Sequence, residues 1–322
     1  MSAKPHRIDV HHHFLPPDYV KAVGEEPIGS LLVSGKAPDW TPARSVEVMD
    51  RNGIELAIVS MSAPGLWFGD AAATRTLCRH CNEYAARMRA DHPGRFGLFA
   101  SLPLPDVDAA LEEIAYAFDV LKADGIGLLT SLGDKYPGDP AFAPVFDELN
   151  RRRAVVYFHP AAGACGQCLT GIPAATLEFP FDTTRAITSL LYSGTFTRCR
   201  DIKFIFSHAG GTVPFLADRI ARLEARPELK RHVPEGVMAE LARLHFDTAL
   251  SANRYTFSAL LQLTTTDNIL FGSDYPFAPE ATTTATVRGL AGLGLSAEAL
   301  ARIERDNALA LIPAVRAAVS AG

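Results

Sequence analysis

Eight short apolar runs, spaced along the whole chain, constrain its fold more than any other feature of the sequence. Each run is nearly continuous in apolar and β-branched residues, as is typical of parallel strands that helices cover on both faces. Amphipathic segments with helical periodicity separate the runs. The predicted strands lie at 7–14, 56–64, 96–104, 125–133, 154–161, 203–211, 244–249 and 268–277. The sequence therefore predicts an α/β fold built from βα units.

Strict alternation of strands and helices in 322 residues favours a closed (β/α)8 TIM barrel over a doubly wound open sheet. An open sheet predicts a glycine-rich phosphate loop after the first strand, where this chain has three histidines. No repeat or linker interrupts the pattern, so we expect residues 1–322 to form one domain. The segment 160–182 is longer than a usual loop and should shape the mouth of a site. The helix after it is expected to begin at the capping residues Asp182 and Thr183.

Charge and hydropathy argue against several classes of protein. The formal net charge is −5 and the basic residues are dispersed, so neither a nucleic-acid footprint nor a polybasic membrane patch is expected. The N-terminal sequence MSAKPHRIDVHHHF has no apolar region of the kind that a secretory signal requires. No apolar run is long enough to span a membrane. We therefore expect a cytoplasmic protein.

The five cysteines include two pairs with CxxC spacing, Cys78/Cys81 and Cys165/Cys168. Four thiolates of this kind could form a tetrahedral zinc site. The first pair lies in a helical pattern without turn residues between its cysteines, so we predict buried, reduced thiols there. The second pair lies in a loop-like segment. We assign no function to either pair.

Three consecutive histidines end the first predicted strand. Alternate side chains of a strand share a face, so His11 and His13 should point together into the barrel mouth. His12 should point away, towards the helices, and is predicted to be structural. Catalytic side chains of such barrels lie at the carboxyl ends of the strands, which is where these histidines are. His11 and His13 are therefore candidate metal ligands.

Other strands also end in polar residues. His159 ends the fifth strand, His208 the sixth and Asp274 the eighth. A single buried histidine is usually a hydrogen-bonded core residue, but costly polar groups at several consistent strand ends are hard to explain as packing. With the two histidines of strand one, His159 and Asp274 would surround one point with nitrogen and oxygen donors. Such donors suit Zn2+, or Mn2+ as the alternative, and would leave a position for water or substrate.

Four segments carry a family resemblance: IDVHHHFLP, VVYFHPA, FIFSHAGG and FGSDYPF. They resemble the signature segments of the amidohydrolase superfamily, and in particular the branch of aminocarboxymuconate-semialdehyde decarboxylase and related non-oxidative aromatic acid decarboxylases. The resemblance covers nearly the whole chain. It implies one divalent metal ion bound by His11, His13, His159 and Asp274, with His208 active in proton transfer.

Two further segments narrow the resemblance. Strand four, GIGLLTSLG, lacks the lysine that bridges two metal ions in binuclear members, which favours a mononuclear site. The stretch EFPFDTTRAI looks like the decarboxylases of 6-methylsalicylate-type substrates. The predicted reaction is decarboxylation of a small hydroxy-aromatic acid, in which the ring carbon is protonated and CO2 then leaves. Either His208 or Asp274 could supply the proton.

Two alternatives differ in class from this prediction. The same ligands could activate a water molecule in a metal-dependent hydrolase of the lactonase or amidase type. Release of CO2 would distinguish a decarboxylase from a hydrolase, which consumes water and opens an ester or amide. A barrel kept only as a binding protein predicts damaged ligand positions, and all of them are intact.

Substrate contacts are predicted from aromatic and basic residues near the strand ends. Arg44 and Arg51 lie near a segment that contributes a carboxylate-binding arginine in the related enzymes. Arg226 resembles an arginine that the related enzymes lend across a dimer interface, which implies a homodimer. Each arginine taken alone also fits a surface salt bridge. The aromatic side chains that could wall an apolar pocket are Phe14, Trp67 and Phe68.

Overall fold

The structure is a computed structural model that describes residues 6–132, 134–163 and 169–320. Its eight strands are parallel and pair in chain order. Each begins within two residues of its predicted start, whereas the paired part ends earlier than the apolar run does. The strands are β1 (Arg7–His13), β2 (Ile54–Ser60), β3 (Phe96–Ser101), β4 (Gly125–Leu129), β5 (Val155–His159), β6 (Lys203–Phe206), β7 (His245–Asp247) and β8 (Ile269–Leu270).

The last strand closes the sheet against the first. Val10 N donates to Phe271 O at 3.0 Å, and His13 N donates to Tyr275 O at 2.8 Å. The segment that follows β8 thus continues the ladder along β1. The predicted (β/α)8 barrel is confirmed.

Helices alternate with the strands around the barrel. Short 3₁₀ turns supplement them at Pro140–Phe142, His208–Gly210, Arg222–Ala225 and Thr266–Asn268, and a π-helical turn lies at Arg302–Asp306. The α-helices are α1 (Pro17–Val23), α2 (Glu25–Gly29), α3 (Pro42–Arg51), α4 (Ala71–Asp91), α5 (Val107–Asp119), α6 (Ala143–Arg151), α7 (Ala174–Tyr192), α8 (Thr195–Arg198), α9 (Val213–Ala221), α10 (Pro227–Lys230), α11 (Val237–Ala242), α12 (Arg254–Leu263), α13 (Glu280–Ala291), α14 (Ala297–Ala301), α15 (Asn307–Leu311) and α16 (Pro313–Ser320).

The predicted start of the helix after β5 is wrong. Helix α7 begins at Ala174, so Asp182 lies inside it and caps nothing. The Asp182 carboxylate is buried and accepts hydrogen bonds from Thr130 Oγ1 (2.5 Å) and Tyr136 Oη (2.8 Å). Hydroxyl groups from distant parts of the chain therefore donate to this carboxylate, although aspartate is a residue type that favours helix N-caps.

Two apolar clusters stabilise the barrel. The larger one fills the layer between strands and helices. The smaller one lies inside the barrel, where Ile8, Leu56, Phe99 and Tyr157 pack with neighbouring strand residues. Helices α15 and α16 contribute side chains to this inner cluster. The inner cluster supports the strands from within, below the ends that carry the polar residues.

The first CxxC pair lies on a helix, within the described part of the chain. Cys78 and Cys81 on α4 are buried and free, as predicted, and burial raises the pKa of Cys81 to about 12. Cys165 and Cys168 lie outside the described residues. Within the described ranges, no helix is long and apolar enough to cross a bilayer.

Candidate metal centre and cleft

Asp9 ties the end of β1 to the segment after β8. Its buried carboxylate accepts from His11 N at 3.0 Å, from Ser273 N at 3.1 Å and from Ser273 Oγ at 2.6 Å. The register of β1 against β2 is irregular between Asp9 and His12. These contacts bring the end of β1 beside Asp274, which follows Ser273.

His12 points away from the barrel mouth, as predicted. Its ring is buried between the Asp9 carboxylate (3.0 Å from Nδ1) and Ser45 Oγ of α3 (2.9 Å from Nε2). Trp40 Nε1 donates to the same Ser45 oxygen at 2.8 Å. His12 therefore connects the strand to the helix layer and takes no part in the cluster at the mouth.

Three imidazoles converge on one oxygen of Asp274. Asp274 Oδ1 lies 3.0 Å from His11 Nε2, 3.1 Å from His13 Nε2 and 3.8 Å from His159 Nε2. The Nε2 atoms of His11 and His13 are themselves 3.0 Å apart. The four residues predicted as ligands are therefore brought together at the carboxyl ends of three strands.

The opposite nitrogen of each imidazole fixes its tautomer. His13 Nδ1 lies 2.9 Å from Ser60 O, and His159 Nδ1 lies 2.9 Å from Pro160 O. A carbonyl oxygen only accepts, so both Nδ1 atoms carry the hydrogen and both Nε2 atoms present a lone pair. His11 Nδ1 is likewise 2.8 Å from Asp247 Oδ2.

Nitrogen lone pairs and a carboxylate oxygen repel each other at these distances unless a cation lies between them. Nitrogen and oxygen ligands about 2.0–2.2 Å from a zinc ion lie roughly 3–3.5 Å from one another. The separations around Asp274 Oδ1 fall close to that range. The donor set therefore fits a first-row divalent metal ion.

The electrostatics of the cluster also favour a cation. Burial lowers the pKa of His159 to about 3, and His13 adds to that effect. Burial also lowers the pKa of His11, but Asp247 and Asp274 outweigh it and raise that pKa to about 10. Burial acts to raise the pKa of Asp274, yet His11 and the other imidazoles hold it well below its usual range. The carboxylates thus favour positive charge at the centre.

His208 lies on the other side of the same carboxylate. Its Nε2 is 3.5 Å from Asp274 Oδ2, and its buried Nδ1 has no hydrogen-bond partner within the described part of the chain. Ligand atoms of His11, His159, His208 and Asp274 all lie within 4.8 Å of one another, so His208 is also within reach of a metal ion. His13 Nε2 lies 3.0 Å from His11 Nε2 and 3.1 Å from Asp274 Oδ1, whereas His208 Nε2 is 3.5 Å from the nearer Asp274 oxygen. The shorter distances favour His13 as the ligand.

Asp247, which the sequence analysis did not single out, is part of the cluster. Its buried carboxylate contacts His11 through Oδ2, while Oδ1 accepts from His208 N at 2.9 Å. Asp247 ends β7, so the rule that selected Asp274 on β8 could have identified it. Its position at the end of a three-residue strand weakened that signal.

A cleft of about 1190 Å³ opens above the cluster. His159, His208 and Asp274 line its floor, whereas His11 and His13 are fully buried. Two aromatic rings flank the cluster, with Phe277 5.2 Å from the His13 ring and Phe179 6.0 Å from the His159 ring. The cleft thus combines aromatic walls with a polar floor.

The aromatic residues predicted to wall the pocket lie elsewhere. Phe14 is buried in the core and stacks on Tyr84 of α4 at 6.4 Å, because it continues the alternation of β1 and faces the helices as His12 does. Phe68 is 55% exposed, and neither residue is among the described residues that line the cleft. Trp67 lines a separate cavity of about 200 Å³. Phe179 and Phe277 take the place that the prediction gave to Phe14 and Phe68.

The predicted arginines are engaged by acidic side chains. Arg44 and Arg51 both line the cleft. Arg44 pairs with Asp39, and Arg51 donates to both oxygens of Glu280 at 2.7 and 2.8 Å. Arg226 is exposed and pairs with Glu228, and it is not among the described residues that line the cleft.

Comparison with known proteins gives consistent matches over nearly the whole chain. A family model described as amidohydrolase matches residues 8–314. Decarboxylase yanB of Aspergillus niger is 40% identical over an alignment of 326 positions, gaps included, which covers 95% of this chain and 87% of that protein. The 6-methylsalicylic acid decarboxylase acuB of Aspergillus aculeatus is 38% identical over an alignment of 334 positions, with 98% of each chain covered. A crystal structure described as amidohydrolase II superposes with a TM-score of 0.87 at 29% identity and covers 95% of this chain and 99% of that one.

Proposed function

The chain belongs to the amidohydrolase family, and from that premise we propose that it is a metal-dependent carboxy-lyase. Its substrate would be a small hydroxy-substituted aromatic acid of the salicylate or 6-methylsalicylate type. The observation that carries the proposal is the convergence of three imidazole nitrogens on Asp274 Oδ1 beneath an aromatic-walled cleft. Relatives named as decarboxylases, at 36–40% identity, support the reaction class.

The proposed metal ligands are His11, His13 and His159 through Nε2, and Asp274 through Oδ1. Three nitrogen donors and one carboxylate suit Zn2+, with Mn2+ as the alternative. When bound, the ion would supply Lewis-acid chemistry by holding the substrate carboxylate and the neighbouring phenolic oxygen. The chain's own contribution is a ligand set whose tautomers are fixed before any substrate arrives.

His208 is the proposed proton donor to the ring carbon that bears the carboxylate. His208 lines the cleft, and its Nε2 lies 3.5 Å from Asp274 Oδ2. Its Nδ1 has no partner among the described groups, so no hydrogen bond holds the proton on Nδ1. Asp274 is committed to the imidazole cluster and would be a poor acid once it binds a cation. Protonation interrupts the aromatic system. The bond to the carboxylate then breaks, its electron pair restores the ring, CO2 leaves and solvent reprotonates His208.

The cleft walls would orient the ring. Phe179 and Phe277 lie on two sides of the cluster and offer apolar faces to a flat substrate. Ser62 and Thr176 also line the cleft and offer hydroxyl groups to polar ring substituents. The homodimer expected from the resemblance stays a prediction.

The proposal is tested by CO2 release from salicylate, 6-methylsalicylate and 2,4- and 2,6-dihydroxybenzoate, with the metal content of the protein measured alongside. We expect release from at least one acid, its loss in His159→Ala, and its retention in the control His80→Ala, which removes an exposed histidine on α4. A metal-loaded wild type that releases no CO2 but opens lactones would overturn the proposal in favour of a hydrolase.

A further inference from the structure

The buried carboxylate of Asp247 lies at the end of β7 and contacts four groups. Oδ2 is 2.8 Å from His11 Nδ1 and 3.3 Å from Tyr157 Oη. Oδ1 accepts from His208 N at 2.9 Å and from Ala249 N at 3.0 Å. One side chain therefore contacts both a proposed metal ligand and the backbone of the proposed proton donor.

We propose that Asp247 is a positioning residue that fixes the tautomer of His11 and the backbone conformation of His208. The inference rests on the proposed function, in which His11 binds the metal ion and His208 carries the proton. Asp247 is fully buried and is not among the described residues that line the cleft. Its effect would pass through the two histidines.

Asp247 determines which nitrogen of His11 carries the hydrogen. An ionised carboxylate only accepts, so Oδ2 holds the hydrogen of His11 on Nδ1 and leaves a lone pair on Nε2. His13 and His159 obtain the same result from the backbone carbonyls of Ser60 and Pro160. The tautomer of His11 depends on a side chain, so substitution can change it.

Asp247 also holds the backbone of His208. Its φ is +52° and that of Ala209 is +57°, a left-handed conformation that side chains with a Cβ rarely adopt. The contact from His208 N to Asp247 Oδ1 holds the first residue of this turn. This backbone conformation directs the His208 ring towards Asp274 Oδ2. The conformation of the proposed acid is thus tied to the carboxylate that orients His11.

Asp247→Asn separates these two effects. With its amide oxygen in place of Oδ1, the variant retains an acceptor for His208 N and Ala249 N. The amide NH2 then replaces Oδ2 and faces His11 Nδ1 as a donor. His11 would have to accept on Nδ1 and carry its hydrogen on Nε2, where it blocks metal binding.

The experiment measures the zinc affinity of the full-length protein by competition with a chromophoric chelator. We expect Asp247→Asn to bind zinc about 10–100-fold more weakly than the wild type, as substitution of a residue that orients a ligand usually does. The matched control is Tyr157→Phe, which removes the hydroxyl that donates to the same Oδ2 and leaves the tautomer of His11 unchanged. It should bind zinc within about threefold of the wild type.

A spectroscopic measurement on the wild type keeps the inference testable even if the variant does not fold. In zinc-loaded protein with ¹⁵N-labelled histidine, the Nδ1 of His11 should carry a slowly exchanging proton. At saturating zinc, the corresponding signals of His13 and His159 should persist in Asp247→Asn, whereas that of His11 should be lost.

The outcomes separate this inference from the proposed function. Wild type that binds zinc through His11 Nε2 but releases no CO2 overturns the decarboxylase and leaves the tautomer assignment supported. Unchanged zinc affinity in a folded Asp247→Asn, or a wild-type His11 without a proton on Nδ1, overturns the role of Asp247. A wild type that binds no zinc, manganese or other first-row divalent ion overturns both.

Discussion

The Nε2 atoms of His11 and His13 lie 3.0 Å apart, and both also lie within 3.1 Å of Asp274 Oδ1. Such crowding of donor atoms is stabilised by a cation that binds all of them. We therefore expect a chelator to lower the free energy of unfolding, and added zinc to restore it. At a free zinc concentration 100 times Kd, the gain would be about 2.7 kcal/mol. Urea unfolding with and without chelator measures it, and equal midpoints would contradict a metal-stabilised cluster.

His208→Asn tests the division of roles between His208 and His13. If His208 carries the proton, we expect kcat to fall by about 10²–10⁴-fold while the metal content of the protein stays that of the wild type. His13→Ala should instead release the metal ion. The measurement is CO2 release together with metal analysis of both variants. Loss of metal from His208→Asn with retention in His13→Ala would show that His208 is the ligand.

Asp182→Ala should destabilise the fold. The change leaves the buried hydroxyl of Thr130 and the half-buried hydroxyl of Tyr136 without their acceptor, and each such loss costs about 1–3 kcal/mol. We expect a total loss of roughly 2–4 kcal/mol in urea unfolding, below the full sum because Tyr136 is only half-buried and water can replace its acceptor. Asp218→Ala, which removes an exposed carboxylate on α9, is the control and should change stability by less than about 0.5 kcal/mol. A loss below about 1 kcal/mol in Asp182→Ala would contradict a stabilising role for these contacts.

The sequence predicted the parts of the site that follow from strand periodicity. His11 and His13 share a face because a strand alternates its side chains, and His12 consequently packs against Ser45 of α3. The eight strands were predictable because their apolar runs are set by local sequence. The ends of the paired strands were not predictable, because the apolar runs continue past the last residue that pairs with a neighbouring strand.

Long-range contacts account for what the sequence did not predict. Asp182 has the residue type of a helix cap, but its donors, Thr130 and Tyr136, are about fifty residues away. Phe14 is different, because it continues the alternation of β1 and packs against Tyr84 on the side that His12 faces, so its place was open to prediction. Phe179 and Phe277 flank the cluster because of how α7 and the segment after β8 pack over the barrel. Such packing between distant segments cannot be predicted from local sequence patterns.

His245 gives a pH dependence that is separate from the candidate metal centre. Its ring is largely buried at the start of β7, and Nδ1 lies 3.3 Å from Phe204 O. Burial lowers the pKa of His245 from 6.5 to about 4, so the folded protein keeps the ring neutral at a pH where the unfolded chain binds a proton. Wild-type stability should therefore fall as the pH drops from about 6.5 to about 4 and lose nothing more from this group below that.

His245→Asn removes the titrating ring and keeps a side-chain donor near Phe204 O. Between pH 7 and pH 4.5 the variant should lose roughly 2–3 kcal/mol less stability than the wild type, since each pKa unit corresponds to about 1.4 kcal/mol. The measurement is urea unfolding at both pH values, with His80→Asn, an exposed histidine on α4, as the control that should follow the wild type. Parallel pH profiles for His245→Asn and the wild type would mean that the ring of His245 is solvated enough to accept its proton in the folded state.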